Sequence, residues 1–173
     1  MQKTNIYILA TVLAVTCAGA ASAQSSSVTT NGTTTILRPV TITKTADLAF
    51  ARVVKPTTGS GTVTLTASSD TVGVTGTGTL AAGTASRAKY TINGEGGQVV
   101  AVTVPASFDM SDGSSHTLTV TLSSDLSGGT VTLDQTIGTA GASALNVGGS
   151  FPVSSTTTPA AYTGTFDVSV AYQ

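Results

Sequence analysis

From Val40 onward the chain alternates apolar and polar residues with a period of two, and no stretch there keeps a helical period. Val40-Thr41-Ile42-Thr43, Thr62-Val63-Thr64-Leu65-Thr66, Thr117 to Leu122 and Thr130-Val131-Thr132-Leu133 each set Val, Ile or Leu on one side and Thr on the other. Val99 to Val104 and Tyr162 to Tyr172 continue the series. Side chains alternate across a strand, so this pattern predicts half-buried β-strands whose apolar faces meet in a core. Between them lie turn signals: Gly59-Ser60-Gly61, Asn93 to Gly97, Asp112-Gly113, Ser127-Gly128-Gly129 and Gly148-Gly149. Strand, turn and strand at this spacing predict an antiparallel β-sandwich of about seven to nine short strands.

The first residues break the pattern. Lys3 precedes an apolar or small run from Ile6 to Ala21, and Ala21-Ser22-Ala23 before Gln24 matches a small-residue cleavage site. Residues 1–23 therefore read as a secretory signal peptide, with export to the periplasm, cell surface or medium of a bacterium. The run is too short and too rich in Ala and Gly for a spanning helix, and no second apolar run follows. Cys17, the only cysteine, falls inside this segment, so the exported part has no disulfide. Lipidation at Cys17 is the weaker reading, because Ala14-Val15-Thr16 lacks the usual Leu pattern. Residues 24–35, Ser/Thr-rich with Val28 as their one large apolar residue, read as a mobile arm before a first strand at Ile36. Residues 36–173 then form a single domain, with Ser154 to Ala161 as an extended loop before the last strand.

Composition narrows the function classes. Seven Lys plus Arg against eight Asp plus Glu, scattered singly, make no basic stripe, which excludes nucleic-acid binding. A mean hydropathy of +0.30 with a net charge of −1 excludes a disordered chain. Trp is absent and aromatics make up 5%, so the core is built from Val, Leu, Ile and Ala, and a glycan platform of aromatic rings is not offered. The same scarcity argues against the aromatic girdles of an outer-membrane barrel.

Catalytic groups are few. His116 is the only imidazole and Glu95 the only Glu, and none of the H-E-x-x-H, G-x-S-x-G or P-loop patterns occurs. No enzyme activity and no cofactor are expected. His116 follows the polar Asp112-Gly113-Ser114-Ser115 turn and reads as a solvated loop residue rather than part of a triad. Asp109, Ser111 and Asp112 are oxygen donors of the kind Ca²⁺ takes, but they lack the carboxylate density of a calcium loop. Asp109, Asp112 and Asp134 read instead as turn caps. Lys44, Asp47, Arg52 and Lys55 read as surface pairing partners near the first corner. Thr-x-Thr repeats at Thr41, Thr62, Thr75 and Thr117 are like those of ice-binding surfaces, yet β-branched Thr gathers on wet strand faces without any ligand.

Ile42-Thr43-Lys44-Thr45-Ala46-Asp47-Leu48-Ala49-Phe50-Ala51-Arg52-Val53-Val54, Arg87 to Glu95, Val147-Gly148-Gly149 and Tyr162 to Tyr172 together resemble the bacterial secreted family called domain of unknown function 4402. Ala51 stands where that pattern has Gly. The family is similar to spore coat protein U and to chaperone-usher pilins, and the resemblance implies an immunoglobulin-like, pilin-like sandwich that a donated strand completes. It further implies that Tyr162, Gly164, Phe166, Val168, Val170 and Tyr172, alternating along the last strand, are the residues that pair with a partner. The implied partners are other copies of the chain, in a homopolymer, and a periplasmic chaperone or usher. The arm makes a poor donor, because Ser and Thr gain little from apolar burial, and Arg38-Pro39 interrupt Ile36, Val40 and Ile42. The expectation is an exported, non-enzymatic structural or adhesive surface protein, a pilus- or fimbria-like subunit. The rival expectation is a self-contained secreted domain for glycan binding or surface adhesion.

Overall fold

The computed structural model describes residues 24–77, 79–80 and 83–173; the predicted signal peptide lies outside them. Residues 24–39 form no strand, and Val28 and Ile36 are 91% and 89% exposed. Residues Ile36–Gln173 make up one compact unit.

That unit is all-β. Its strands are β1 Thr41–Ala46, β2 Ala49–Phe50, β3 Val53–Val54, β4 Ser60–Leu65, β5 Val72–Gly76, β6 Thr79–Leu80 and β7 Ala85–Ser86. There follow β8 Ala88–Glu95, β9 Val99–Thr103, β10 Ser107–Ser111, β11 Thr117–Ser124, β12 Thr130–Thr132, β13 Ala140–Ser154 and β14 Ser169–Tyr172. Eight of these strands have five residues or more, within the expected range; the other six are short pieces at corners and edges.

All pairings are antiparallel. The larger sheet runs β1-β8-β13-β11-β10, with β4 also on β13 and β5 outside β4. The smaller sheet is β12-β9-β14, and two ribbons, β2-β7 and β3-β6, stand apart. The first strand begins at Thr41 rather than Ile36. Arg38 donates its backbone N–H to the Glu95 carboxylate and gives its carbonyl to Tyr172, and Pro39 has no N–H, so no ladder forms there.

The central element is β13. Ala140 to Val147 pair with β8, and Gly149 to Ser154 pair with β4, while Val147 to Ser150 also pair with β11 on the opposite edge. Gly148-Gly149 is therefore the middle of the longest strand, not a turn. A Cβ on Gly148 would lie 2.2 Å from the Leu65 carbonyl oxygen, and one on Gly149 would lie 2.8 Å from Val120. Only glycine lets the neighbouring backbones close on β13 where it passes from one partner to the next.

Burial follows the period-2 pattern: Gly61, Val63 and Leu65 of β4 point inward, and Thr62 and Thr64 lie on the other face. The core has two clusters. Ala88, Ile92, Leu145 and Val147 of the larger sheet meet Val100 and Val102 of the smaller one, with Leu133 between them. The other cluster, Val63, Leu65, Val72, Val120, Phe151 and Val153, has no residue of the smaller sheet packed on it, and Val53 of β3 and Ala85 of β7 lie against it. Phe50 of β2 covers it instead, edge-on to Phe151 at 5.0 Å between ring centroids and 86° between planes. Such an aromatic pair contributes about 0.5–1.5 kcal/mol beyond its buried area.

Candidate functional site

The segment 162–172, predicted as one strand, is paired in two places only. Thr163 makes an isolated bridge to Ser111 of β10, with N–H to O distances of 2.8 and 2.9 Å, and β14 then pairs with β9. Between them the chain crosses from the larger sheet to the smaller, which interrupts the ladder. Gly164 is exposed, and a Cβ there would lie 2.3 Å from the Asp109 carbonyl oxygen. Phe166 stacks at 39° on Phe108, 5.0 Å between centroids. Phe166, Val168, Val170 and Tyr172 all pack against the inter-sheet cluster, so four of the six expected residues do share one face. Tyr162 is not part of that cluster; its hydroxyl donates to the Thr158 carbonyl at 2.8 Å, and it lines the cleft beside the first corner and, with Gly164 and Phe166, a second one.

β14 is an edge strand. Its residues Ser169 to Tyr172 lie opposite Thr103 to Val100, and the Gln173 N–H donates to Val99 at 3.1 Å. In that register Ser169 and Ala171 exchange hydrogen bonds with β9, and the N–H and C=O groups of Val170 and Tyr172 point the other way. Among the described residues, no strand pairs with that side.

A group that sequence reasoning missed fixes this strand. The Tyr172 hydroxyl accepts from the Glu95 backbone N–H at 2.6 Å and donates to the Arg38 carbonyl at 2.7 Å. The Glu95 side chain, 3% exposed, takes the Arg38 guanidinium at 2.8 Å, the Arg38 N–H at 3.3 Å and the Gly138 N–H. The Gly138 N–H, then the Arg38 backbone and guanidinium, hold the Glu95 carboxyl below its ordinary range against the opposing effect of burial. One signal was present in the sequence, that Glu95 is the single Glu of the chain; the turn read over Asn93 to Gly97 hid that β8 runs on to Glu95.

A family model matches the chain over residues 40–172. The chain belongs to the family Domain of unknown function (DUF4402). No curated protein and no solved structure matches it. The DUF4402 match spans the first corner, β13 and β14 alike.

At the corner of this DUF4402 domain, Ala51 adopts φ 62°, the left-handed region that suits glycine. Lys44 pairs with Asp47, whereas no carboxylate lies within 4 Å of Arg52 or Lys55. His116 is exposed, its Nδ1 2.6 Å from Asp112. That ring, then the Ser114 N–H, holds the Asp112 carboxyl below its usual range. Asp112 caps its turn through Ser114 and His116, whereas Asp134 caps no turn and accepts from the Ala142 N–H inside β13. Asp109 caps no turn; it accepts from Thr119 across the β10-β11 ladder at 2.6 Å, away from Asp112. Among the described residues, no group of three or more metal-binding side chains gathers, and no helix is long and apolar enough to cross a membrane.

Proposed function

We propose that this domain is an exported, non-enzymatic structural subunit of the bacterial surface, assembling through its β14 edge with another copy of the chain, and met during export by a periplasmic chaperone or usher. The observation that carries the reading is the open side of β14, where the backbone groups of Val170 and Tyr172 face outward. An edge of this kind is a template for β-augmentation, with the added strand gaining main-chain hydrogen bonds. The resemblance of the Tyr162 to Tyr172 motif to pilin-like segments supports the same direction.

Immunogold negative-stain microscopy of producing cells, with antibody against residues 24–173, tests it. Labelled thin fibres are expected, and Val170→Pro removes them while folded domain is still exported. Proline at 170 deletes an outward N–H and leaves the β9 hydrogen bonds of Ser169 and Ala171 in place, but it also gives up the Val170 side chain packed on the inter-sheet cluster, so a melting curve of the exported variant is taken beside the fibre count. Folded monomer in the medium with no labelled fibres overturns the proposal in favour of the self-contained binding domain.

A further inference from the structure

We propose that the domain binds a medium-chain fatty acid in the cleft beside its first corner. The cluster around Phe151 is covered by the corner 48–53 with Ala85 of β7 beside it, and a cleft of about 610 Å³ remains between that corner and the loop 157–162. Leu48, Phe50, Val53, Met110, Leu118 and Phe151 supply its apolar walls. A concave, mostly apolar site of this size with a few polar groups at one side is what a small amphiphile needs.

The sign of the head group follows from the charges. Among the described residues, Arg52 and Lys55 are the only charged ones lining the cleft. Every Asp and Glu of the chain is among the described residues, and none forms an ion pair with either. The Lys55 ammonium is held at the mouth by the neutral Ser155 carbonyl, at 2.8 Å. Two unneutralised cations together are notable in a chain whose net charge is −1. A backbone observation points to the same place: Ala51, with φ 62°, lies between Phe50 in the wall and Arg52 at the mouth. Left-handed backbone at a residue with a Cβ is strain of the kind that gathers at ligand sites. An acyl tail enters among the apolar walls, and its carboxylate meets Arg52 and Lys55 as a charge-assisted acceptor. The site is separate from the β14 edge, so the proposal stands or falls independently of assembly.

The test is methyl NMR of the exported domain, titrated with octanoate, decanoate and dodecanoate below their micelle concentrations. Saturable shifts at the methyls of Leu48, Met110 and Leu118 are expected, tightening about fourfold per added methylene until the cleft is full. The Arg52→Glu/Lys55→Glu double variant weakens dodecanoate about tenfold and leaves dodecanol nearly unchanged. On the unmodified protein, dodecyltrimethylammonium binds more weakly than dodecanoate, a comparison that needs no variant to fold. Absence of saturable shifts, shifts on another surface, or equal affinity for the cationic amphiphile overturns the proposal. A response to anionic phospholipid vesicles without one to free dodecanoate overturns it also, and assigns the surface to a membrane.

Discussion

The Tyr172 hydroxyl sits between the Glu95 backbone N–H at 2.6 Å and the Arg38 carbonyl at 2.7 Å, so one phenol joins the last strand, the end of β8 and the residues that lead into β1. Tyr172→Phe keeps the ring in the inter-sheet cluster and deletes both bonds. Leaving a buried donor and an acceptor unmatched lowers the unfolding free energy by about 1–3 kcal/mol, measured by urea denaturation. A loss under about 0.5 kcal/mol, the range of neutral surface changes, contradicts the role given to the hydroxyl.

Glu95 makes the same junction sensitive to acid. Its folded-state pKa lies below the ordinary value of 4.5, so its contribution to stability is fully present above that value and is lost as pH falls through the lowered one. In melting curves taken from pH 7 to pH 3, Glu95→Gln starts lower than the unmodified protein, and the gap closes on the acid side. Asp70, held low by Lys89 and Arg87, and Asp112, held low by His116, keep some acid sensitivity in the variant. A gap that stays constant across the range rules out the carboxylate as its source.

Ala51→Gly is a stabilising change. Glycine relieves the cost of about 1–2 kcal/mol that a Cβ meets in left-handed backbone, offset by about 0.4–1 kcal/mol of added freedom in the unfolded chain. The expected gain of about 0.5–1 kcal/mol raises Tm by about 2–4 °C in a domain of this size. A fall in Tm would show that the corner is not left-handed in solution.

Gly148→Ala has the opposite effect, because its new methyl lies 2.2 Å from the Leu65 carbonyl oxygen and 2.6 Å from the Ala67 nitrogen. Backbone cannot step aside as a side chain does, and the loss reaches about 3 kcal/mol or more. Gly32→Ala, with nothing within 4 Å, changes stability by less than about 0.5 kcal/mol. Equal melting temperatures for the two variants would refute the close approach at β13.

What alternation could reveal, it revealed. β4 and β11 set Val or Leu toward the core and Thr away from it, and β1 and β9 bury Ile42, Val100 and Val102 more than the residues beside them. β13 escaped for another reason. Leu145, Val147, Gly149, Phe151 and Val153 are buried in alternation with Asn146, Ser150 and Pro152, but the two glycines in the middle and the proline near the end mask that period. Its Gly-Gly pair then carried the signature of a turn while serving close packing. At the candidate site, Phe166 to Tyr172 were legible because they are neighbours in one short run. The Arg38-Glu95 pair was not, since 57 positions separate its members and only the folded sheet brings them together.

The double allegiance of β13 also governs how the molecule is made. β4 gains its second partner only when Gly149 to Ser154 arrive, and β8 only when Ala140 to Val147 do, so the ladders that join the larger sheet close late and across long stretches of chain. Such high contact order slows folding, because loop entropy is lost before pairing repays it. One strand borders both clusters, so neither survives its removal, and the two halves melt in a single transition. A chain that still lacks its last third thus leaves β4 and β8 each one partner short.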